Sequence, residues 1–88
     1  MTASKILIVE DEGITALHLQ SLMSDWGYDV VKTLASGEDA VASALEAPPD
    51  LMLMDIQLRG EMNGIEAAGA IREQCDLPII FLTAFSDE

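Results

Sequence analysis

The sequence predicts an α/β fold in which four parallel strands alternate with three helices, in the order βαβαβαβ. Two observations predict it. Short apolar runs rich in β-branched residues recur along the chain, and the longer segments between them carry apolar residues at helical spacing. Such runs are typical of strands buried on both faces of a parallel sheet, with right-handed helical crossovers between them. A chain of 88 residues is expected to form one domain, residues 1–88, around one modest core.

The first strand and the first helix occupy the start of the chain. Residues 5–9 are a lysine followed by a continuous apolar run, which ends at acidic residues. Apolar residues at helical spacing then predict a helix over residues 13–26, and Gly27 stands where a helix commonly stops. Met23 and Trp26 fall on the apolar side of this helix, so we expect both side chains in the core.

The second strand and the second helix follow directly. Residues 28–31 supply a short strand. Ser36 predicts a helix N-cap, because a serine side chain can accept a hydrogen bond from a backbone N–H two or three residues on, and acidic residues follow it in the first turn. This helix is expected to reach about Ala47, since two prolines come next.

A third helix separates the third and fourth strands. Residues 51–54 are wholly apolar, and their two methionines are expected in the core. Asn63 with Glu66 three residues later is a capping-box pattern that predicts the start of a helix. Residues 79–82 form the last apolar run and predict a fourth buried strand.

Acidic and hydroxyl side chains stand where three of these strands end. Glu10, Asp11 and Glu12 follow the first strand, Asp55 ends the third, and Thr83 follows the fourth. We expect them to converge, because the carboxyl ends of parallel strands meet at one edge of the sheet. Neighbouring carboxylates repel, and a hard divalent ion such as Mg²⁺, which prefers oxygen ligands and often accompanies phosphate, would relieve this. The pattern therefore predicts phosphoryl chemistry with a carboxylate nucleophile.

With these residues in place, the chain resembles the receiver domains of two-component response regulators. Residues 6–12 resemble the family's first strand and acidic pair, and residues 53–58 resemble its phosphoacceptor strand. Asn63 and Gly64 open the next helix as in that family, and residues 78–84 resemble the fourth strand with its switch residue. The resemblance implies a flavodoxin-like, doubly wound parallel sheet with strand order 2-1-3-4.

The resemblance also implies residue roles and partners. Asp55 would accept a phosphoryl group from the phosphohistidine of a sensor histidine kinase, with Mg²⁺ as cofactor. The implied metal ligands are Glu10 (through water), Asp11, Asp55 and the backbone carbonyl of Gln57. Thr83 would bond a phosphoryl oxygen through its hydroxyl, and Ala84 through its backbone N–H. Glu12 is expected to point away from the site. Such a domain is a signalling phosphoacceptor rather than an enzyme acting on other molecules.

The family's sheet has a fifth strand, flanked by two further helices, and a lysine after that strand that pairs with the phosphate. The chain ends before these elements, and none of its four basic residues corresponds to that lysine. We therefore expect a receiver domain that lacks its C-terminal portion, either as a piece of a longer protein or as a naturally short one. Exposed apolar surface and an unpaired fourth-strand edge would then favour homo-oligomers or strand exchange.

Charge and composition exclude several other functions. Four basic and 16 acidic residues give a formal charge of −12, which argues against direct binding to nucleic acids or to anionic membranes. No apolar stretch is long enough to span a bilayer, and the N-terminus lacks the pattern of a secretory signal. We therefore expect a cytoplasmic location.

The same acidic residues allow alternative interpretations, two of which are disfavoured by neighbouring residues. Asp11 and Glu12 could merely cap the first helix. A calcium loop starting at Asp55 is disfavoured because Arg59 stands at a ligand position and an apolar strand precedes the loop. A dehalogenase-like phosphatase would need a second aspartate where Gln57 stands. A receiver-like interaction or dimerisation module that is not phosphorylated stays open as the alternative function.

Overall fold

A computed structural model describes residues 3–82 as one four-stranded parallel sheet with three helices. The strands are β1 (Lys5–Val9), β2 (Asp29–Leu34), β3 (Leu51–Asp55) and β4 (Ile79–Leu82); the helices are α1 (Gly13–Asp25), α2 (Gly37–Glu46) and α3 (Gly64–Arg72). The strand order is β2-β1-β3-β4, so the predicted flavodoxin-like order 2-1-3-4 is confirmed.

The register of the central strands decides where the acidic residues stand. Val9 of β1 is level with Met54 of β3, so the residue after each of them emerges at the same edge of the sheet. Asp55 is in turn level with Leu82 of β4. The carboxyl ends of β1, β3 and β4 therefore face one common space, as expected for neighbouring parallel strands.

Side chains alternate between two apolar clusters on opposite faces of the sheet, as the pleat requires. On one face α2 and α3 pack against β1, β3 and β4 through small and branched residues, including Ala40, Ala44, Ala67, Ala68 and Ile71. On the other face α1 covers β1 and β2 through Met23, with Leu19 and Leu22 partly buried beside it. Ile6 and Ile8 belong to this second cluster, whereas Leu7 and Val9 belong to the first.

The expectation that Trp26 lies in the core is wrong. The side chain is 65% exposed, because α1 ends at Asp25 and Trp26 forms its C-cap, beyond the face that packs on the sheet. Gly27 follows with φ of 93°, a left-handed conformation that glycine adopts without strain and that ends the helix as predicted. Met23, by contrast, is buried as expected.

Two strands are also less buried than predicted. β2 runs further than residues 28–31, because it pairs with β1 along its whole length around a bulge, and most of its side chains are exposed on this edge of the sheet. In β4, Ile80 is 51% exposed: it lies on the α1 face, and within residues 3–82 no helix covers that face beyond β3. Association through the β4 edge stays a prediction.

None of the helices within residues 3–82 has the length and apolar character needed to cross a membrane.

Candidate functional site

Three carboxylates from two adjacent strand ends form the candidate site. Glu10 and Asp11 directly follow β1, and Asp55 is the last residue of β3. One oxygen from each of the three side chains lies within 4.8 Å of the others. The structure thus brings together acidic residues that are far apart in the sequence, at the edge where the sequence pattern expects them.

Each of these carboxylates is held by a backbone N–H group. The donors and acceptors are Glu12 N to Glu10 Oε2 at 3.1 Å, Gln57 N to Asp55 Oδ1 at 3.2 Å, and Arg59 N to Asp11 Oδ2 at 3.0 Å. A backbone donor fixes the direction of a carboxylate and favours its ionised form. The acidic side chains are therefore oriented by the main chain of two loops.

Burial makes this concentration of negative charge costly. Asp55 is only 5% exposed and Glu10 only 9%. The pKa of Glu10 is raised above its ordinary value, first because burial penalises the carboxylate, and then because Asp55 and Asp11 bring negative charge and Asp55 shares a hydrogen bond. The Glu12 N–H opposes this shift without cancelling it. A bound cation would offset the repulsion between these carboxylates.

The start of α3 closes the loop beside Asp55. Asn63 Oδ1 accepts from the Glu66 N–H at 2.8 Å while Glu66 Oε1 accepts from the Asn63 N–H at 3.0 Å, which is the capping box that the sequence predicts. The Gly64 N–H donates to the Ile56 carbonyl at 2.8 Å. The first turn of α3 is therefore fixed against the end of β3.

An open cavity of about 460 Å³ lies over the carboxylates. Its lining consists of Glu10, Asp11, Glu12, Thr15, Leu19, Asp55, Gln57 and Leu82. The four sequence-predicted metal-site residues therefore share one cavity. Glu12 is exposed and also lines this cavity, so the expectation that it points away from the site is not confirmed. Thr83 and Ala84 lie outside the described residues, so their proposed phosphate contacts stay predictions.

Neither Asp11 nor Glu12 caps α1 through a side-chain hydrogen bond among the residues that the structure describes. Glu12 occupies the N-cap position of α1, but its side chain makes no capping hydrogen bond. The Asp11 carboxylate instead accepts from Arg59 in the loop after β3. Asp11 is thus tied across the sheet edge towards the Asp55 loop, rather than to its own helix.

Sequence reasoning missed Arg59 as part of this site. Its Nε lies 3.5 Å from Asp11 Oδ2, and its side chain is 81% exposed while that of Asp11 is 14% exposed. The residues are 48 positions apart, so no local pattern could predict the pair. In the sequence, the positive charge at position 59 served only to disfavour a calcium loop. The structure also contradicts that loop, because a strand, β3, precedes it instead of a helix.

The donor set fits Mg²⁺. Hard divalent ions prefer carboxylate and carbonyl oxygens, and Mg²⁺ is commonly held by one or two carboxylates together with water and phosphate oxygens. The site offers three converging carboxylates and an open cavity in which waters or a phosphoryl group can complete the coordination.

Comparison with known proteins agrees with the fold. The family model described as "Response regulator receiver domain" matches residues 6–88. Transcriptional regulatory protein PdtaR of Mycobacterium tuberculosis is 37% identical over 82 residues, 93% of this chain and 40% of that protein. The signal receiver domain of a modulated diguanylate cyclase from Desulfovibrio desulfuricans superposes with a TM-score of 0.88 at 40% identity, over 96% of this chain and 67% of that one.

A third similar protein is the anti-anti-sigma factor PhyR of Bartonella quintana, crystallised in complex with the anti-sigma factor NepR. It superposes with a TM-score of 0.85 at 33% identity, over 97% of this chain and 35% of that one. This chain belongs to the family of response regulator receiver domains. It spans between about a fifth and two fifths of the length of the curated relatives that it matches, from 22% in one case to 40% in another.

Proposed function

We propose that this chain is a phosphoacceptor module of two-component signalling, in which Asp55 takes a phosphoryl group from the phosphohistidine of a sensor histidine kinase in a Mg²⁺-dependent step. The convergence of Glu10, Asp11 and Asp55 within 4.8 Å, in a cavity open to solvent, carries the proposal. Family membership supports it, since magnesium and phosphoaspartate are typical of receiver domains.

The residues divide the chemistry between them. An ionised Asp55 oxygen forms the new P–O bond while the P–N bond of the donor breaks and its electron pair returns to the imidazole nitrogen. Glu10, Asp11, Asp55 and the Gln57 carbonyl would hold Mg²⁺. When bound, the ion supplies positive charge that stabilises the transferring phosphoryl oxygens. The Gln57 N–H keeps the Asp55 carboxylate oriented during this step.

We further propose that the Thr83 hydroxyl and the Ala84 backbone N–H bond the phosphoryl oxygens after transfer. Such contacts would draw the segment after β4 towards Asp55, and local charge changes of this kind are what receiver-like switches transmit to a distant surface. Under this proposal the chain acts on no substrate other than its own Asp55.

The test is intact-mass measurement after incubation with acetyl phosphate, with and without Mg²⁺. We expect a Mg²⁺-dependent phosphoryl adduct on the unmodified protein and none on Asp55→Asn. Asp76→Asn is a matched control, because it removes an equivalent carboxylate from an exposed site between α3 and β4 and should leave the adduct intact. The absence of an adduct on the folded, unmodified chain would contradict phosphoacceptance.

An interaction module that works without phosphorylation is the second candidate. Ile14 and Leu17 of α1 are 80% and 67% exposed beside the acidic cavity, and PhyR shows that a protein with such a domain engages a partner protein. Self-association measured by analytical ultracentrifugation would favour this function if Asp55→Asn retains it and Leu17→Ser abolishes it.

A further inference from the structure

The Arg59 side chain places a positive charge directly beside the three carboxylates. Its Nε lies 3.5 Å from Asp11 Oδ2, and this is the only side-chain ion pair within 4 Å in the part of the chain running from residue 3 to residue 82. In a protein with 16 acidic and four basic residues, a paired cation therefore stands at the candidate metal site.

Arg59 contacts Asp11 in two independent ways, through its backbone N–H and through its guanidinium. The backbone N–H donates to Asp11 Oδ2 at 3.0 Å, and this bond is available to any residue at position 59 except proline. The guanidinium approaches the same oxygen but stays 81% exposed. The main chain therefore orients Asp11, while the side chain contributes charge and little packing.

We propose that the Arg59 guanidinium competes with Mg²⁺ for Asp11 and thereby lowers the affinity of the pocket for the ion. The inference rests on the proposed Mg²⁺ site and adds its regulation by an internal cation. With no divalent ion bound, the guanidinium partly neutralises Asp11. When the ion binds, the exposed side chain turns towards solvent, which costs little because it fills no buried space.

Exposed ion pairs are weak, which bounds the size of the effect. Removing the guanidinium should tighten divalent-ion binding by roughly two- to fivefold. Raising the salt concentration from about 0.1 M to 1 M shortens the screening length from ~10 Å to ~3 Å, so the difference between variants should shrink.

The experiment measures Mn²⁺ binding from the electron paramagnetic resonance signal of the free ion, with Mg²⁺ competition to obtain the Mg²⁺ dissociation constant. The proteins are the unmodified chain, Arg59→Gln, Arg59→Lys and Arg72→Gln. Arg72→Gln is the matched control, because it also removes one exposed positive charge. Arg72 lies in the last turn of α3, at the opposite end of this helix from the first turn that packs beside Asp55. Circular dichroism verifies that each variant is folded.

We expect Arg59→Gln to bind two- to fivefold more tightly at low salt, with Arg59→Lys between it and the unmodified chain and Arg72→Gln unchanged. In addition, the Nε–Hε signal of Arg59 in a ¹⁵N correlation spectrum should shift as Mg²⁺ is added. Equal affinities for all four proteins, or equal tightening in Arg72→Gln, would overturn the inference and leave the Mg²⁺ site standing. No ion binding by any of them would overturn both.

Discussion

Gly64, the first residue of α3, packs against the main chain of Asp55 with no room for a side chain. A Cβ atom built at position 64 would overlap the Asp55 carbonyl oxygen and lie 2.9 Å from its carbonyl carbon. Contacts below about 3 Å do not occur for real Cβ atoms in folded proteins. The approach of α3 to the end of β3, and hence the shape of the loop that orients Asp55, depends on glycine at this position.

Gly64→Ala should lower the free energy of unfolding by about 1–3 kcal/mol, because the backbone of β3 or of α3 must move to accept the methyl group. Urea denaturation measures the change. Gly69→Ala in the same helix is the matched control: nothing lies within 4 Å of its Cβ, so it should stabilise by roughly 0.5–1 kcal/mol through helix propensity. Equal effects at the two positions would contradict the steric account.

Asn63→Ala should destabilise the protein by about 1 kcal/mol, because both hydrogen bonds of the capping box depend on this side chain or on the geometry it fixes. In a domain of this size the melting temperature would fall by roughly 4–8 °C. Asn63→Asp keeps an acceptor of equal capping strength and should melt close to the unmodified chain. If the aspartate variant loses as much stability as the alanine variant, the cap is not the cause.

The raised pKa of Glu10 predicts an unusual pH dependence of the free energy of unfolding in the absence of divalent ions. Its pKa in the folded state is raised above the ordinary value of 4.5, so the folded protein binds this proton more tightly than the unfolded chain does. The contribution of Glu10 to stability is therefore fully present below pH 4.5 and is lost as the pH rises through the raised pKa.

Glu10→Gln should accordingly raise the melting temperature at neutral pH without Mg²⁺ and flatten this part of the pH profile. Thermal melts between pH 4 and pH 8 measure it. Glu61→Gln removes an exposed charge from the loop before α3 and serves as the control. A lower melting temperature for Glu10→Gln at pH 7 would show that burial and the neighbouring acids do not strain this carboxylate.

Trp26 is the single tryptophan of the chain, so its fluorescence reports on one position. Because the side chain is 65% exposed at the end of α1, we expect emission close to that of free tryptophan and efficient quenching by acrylamide in the native protein. Trp26→Ala should change stability by no more than about 0.5 kcal/mol, as exposed substitutions usually do. Blue-shifted, protected emission would restore the core position expected from the sequence.

The elements that the sequence predicts well are those whose signal is local. Continuous apolar runs define β1 and β3, and Asn63 with Glu66 defines the start of α3, because strand burial and capping depend on residues close in the chain. From strand ends alone it follows that Glu10, Asp11 and Asp55 meet at one edge.

What the sequence does not predict depends on which surfaces cover one another. Apolar spacing places Trp26 and Ile80 on apolar faces of their elements. Whether their side chains are buried depends on where α1 ends and how far it extends over the sheet. The pairing of Arg59 with Asp11 depends on the path of the loop between β3 and α3, which sequence spacing does not specify. The coverage of the sheet by α1 and the path of this loop are both properties of the tertiary structure.

The division of the acidic pocket between two strands links ion binding to folding. Glu10 and Asp11 are brought to Asp55 only when β1 and β3 pair, so the unfolded chain has no comparable ion site. At an ion concentration of 100 times its dissociation constant, a ligand of this kind adds about 2.7 kcal/mol to the free energy of unfolding. With the proposed Mg²⁺ site, the resistance of the sheet to unfolding would follow the ionic composition of its surroundings.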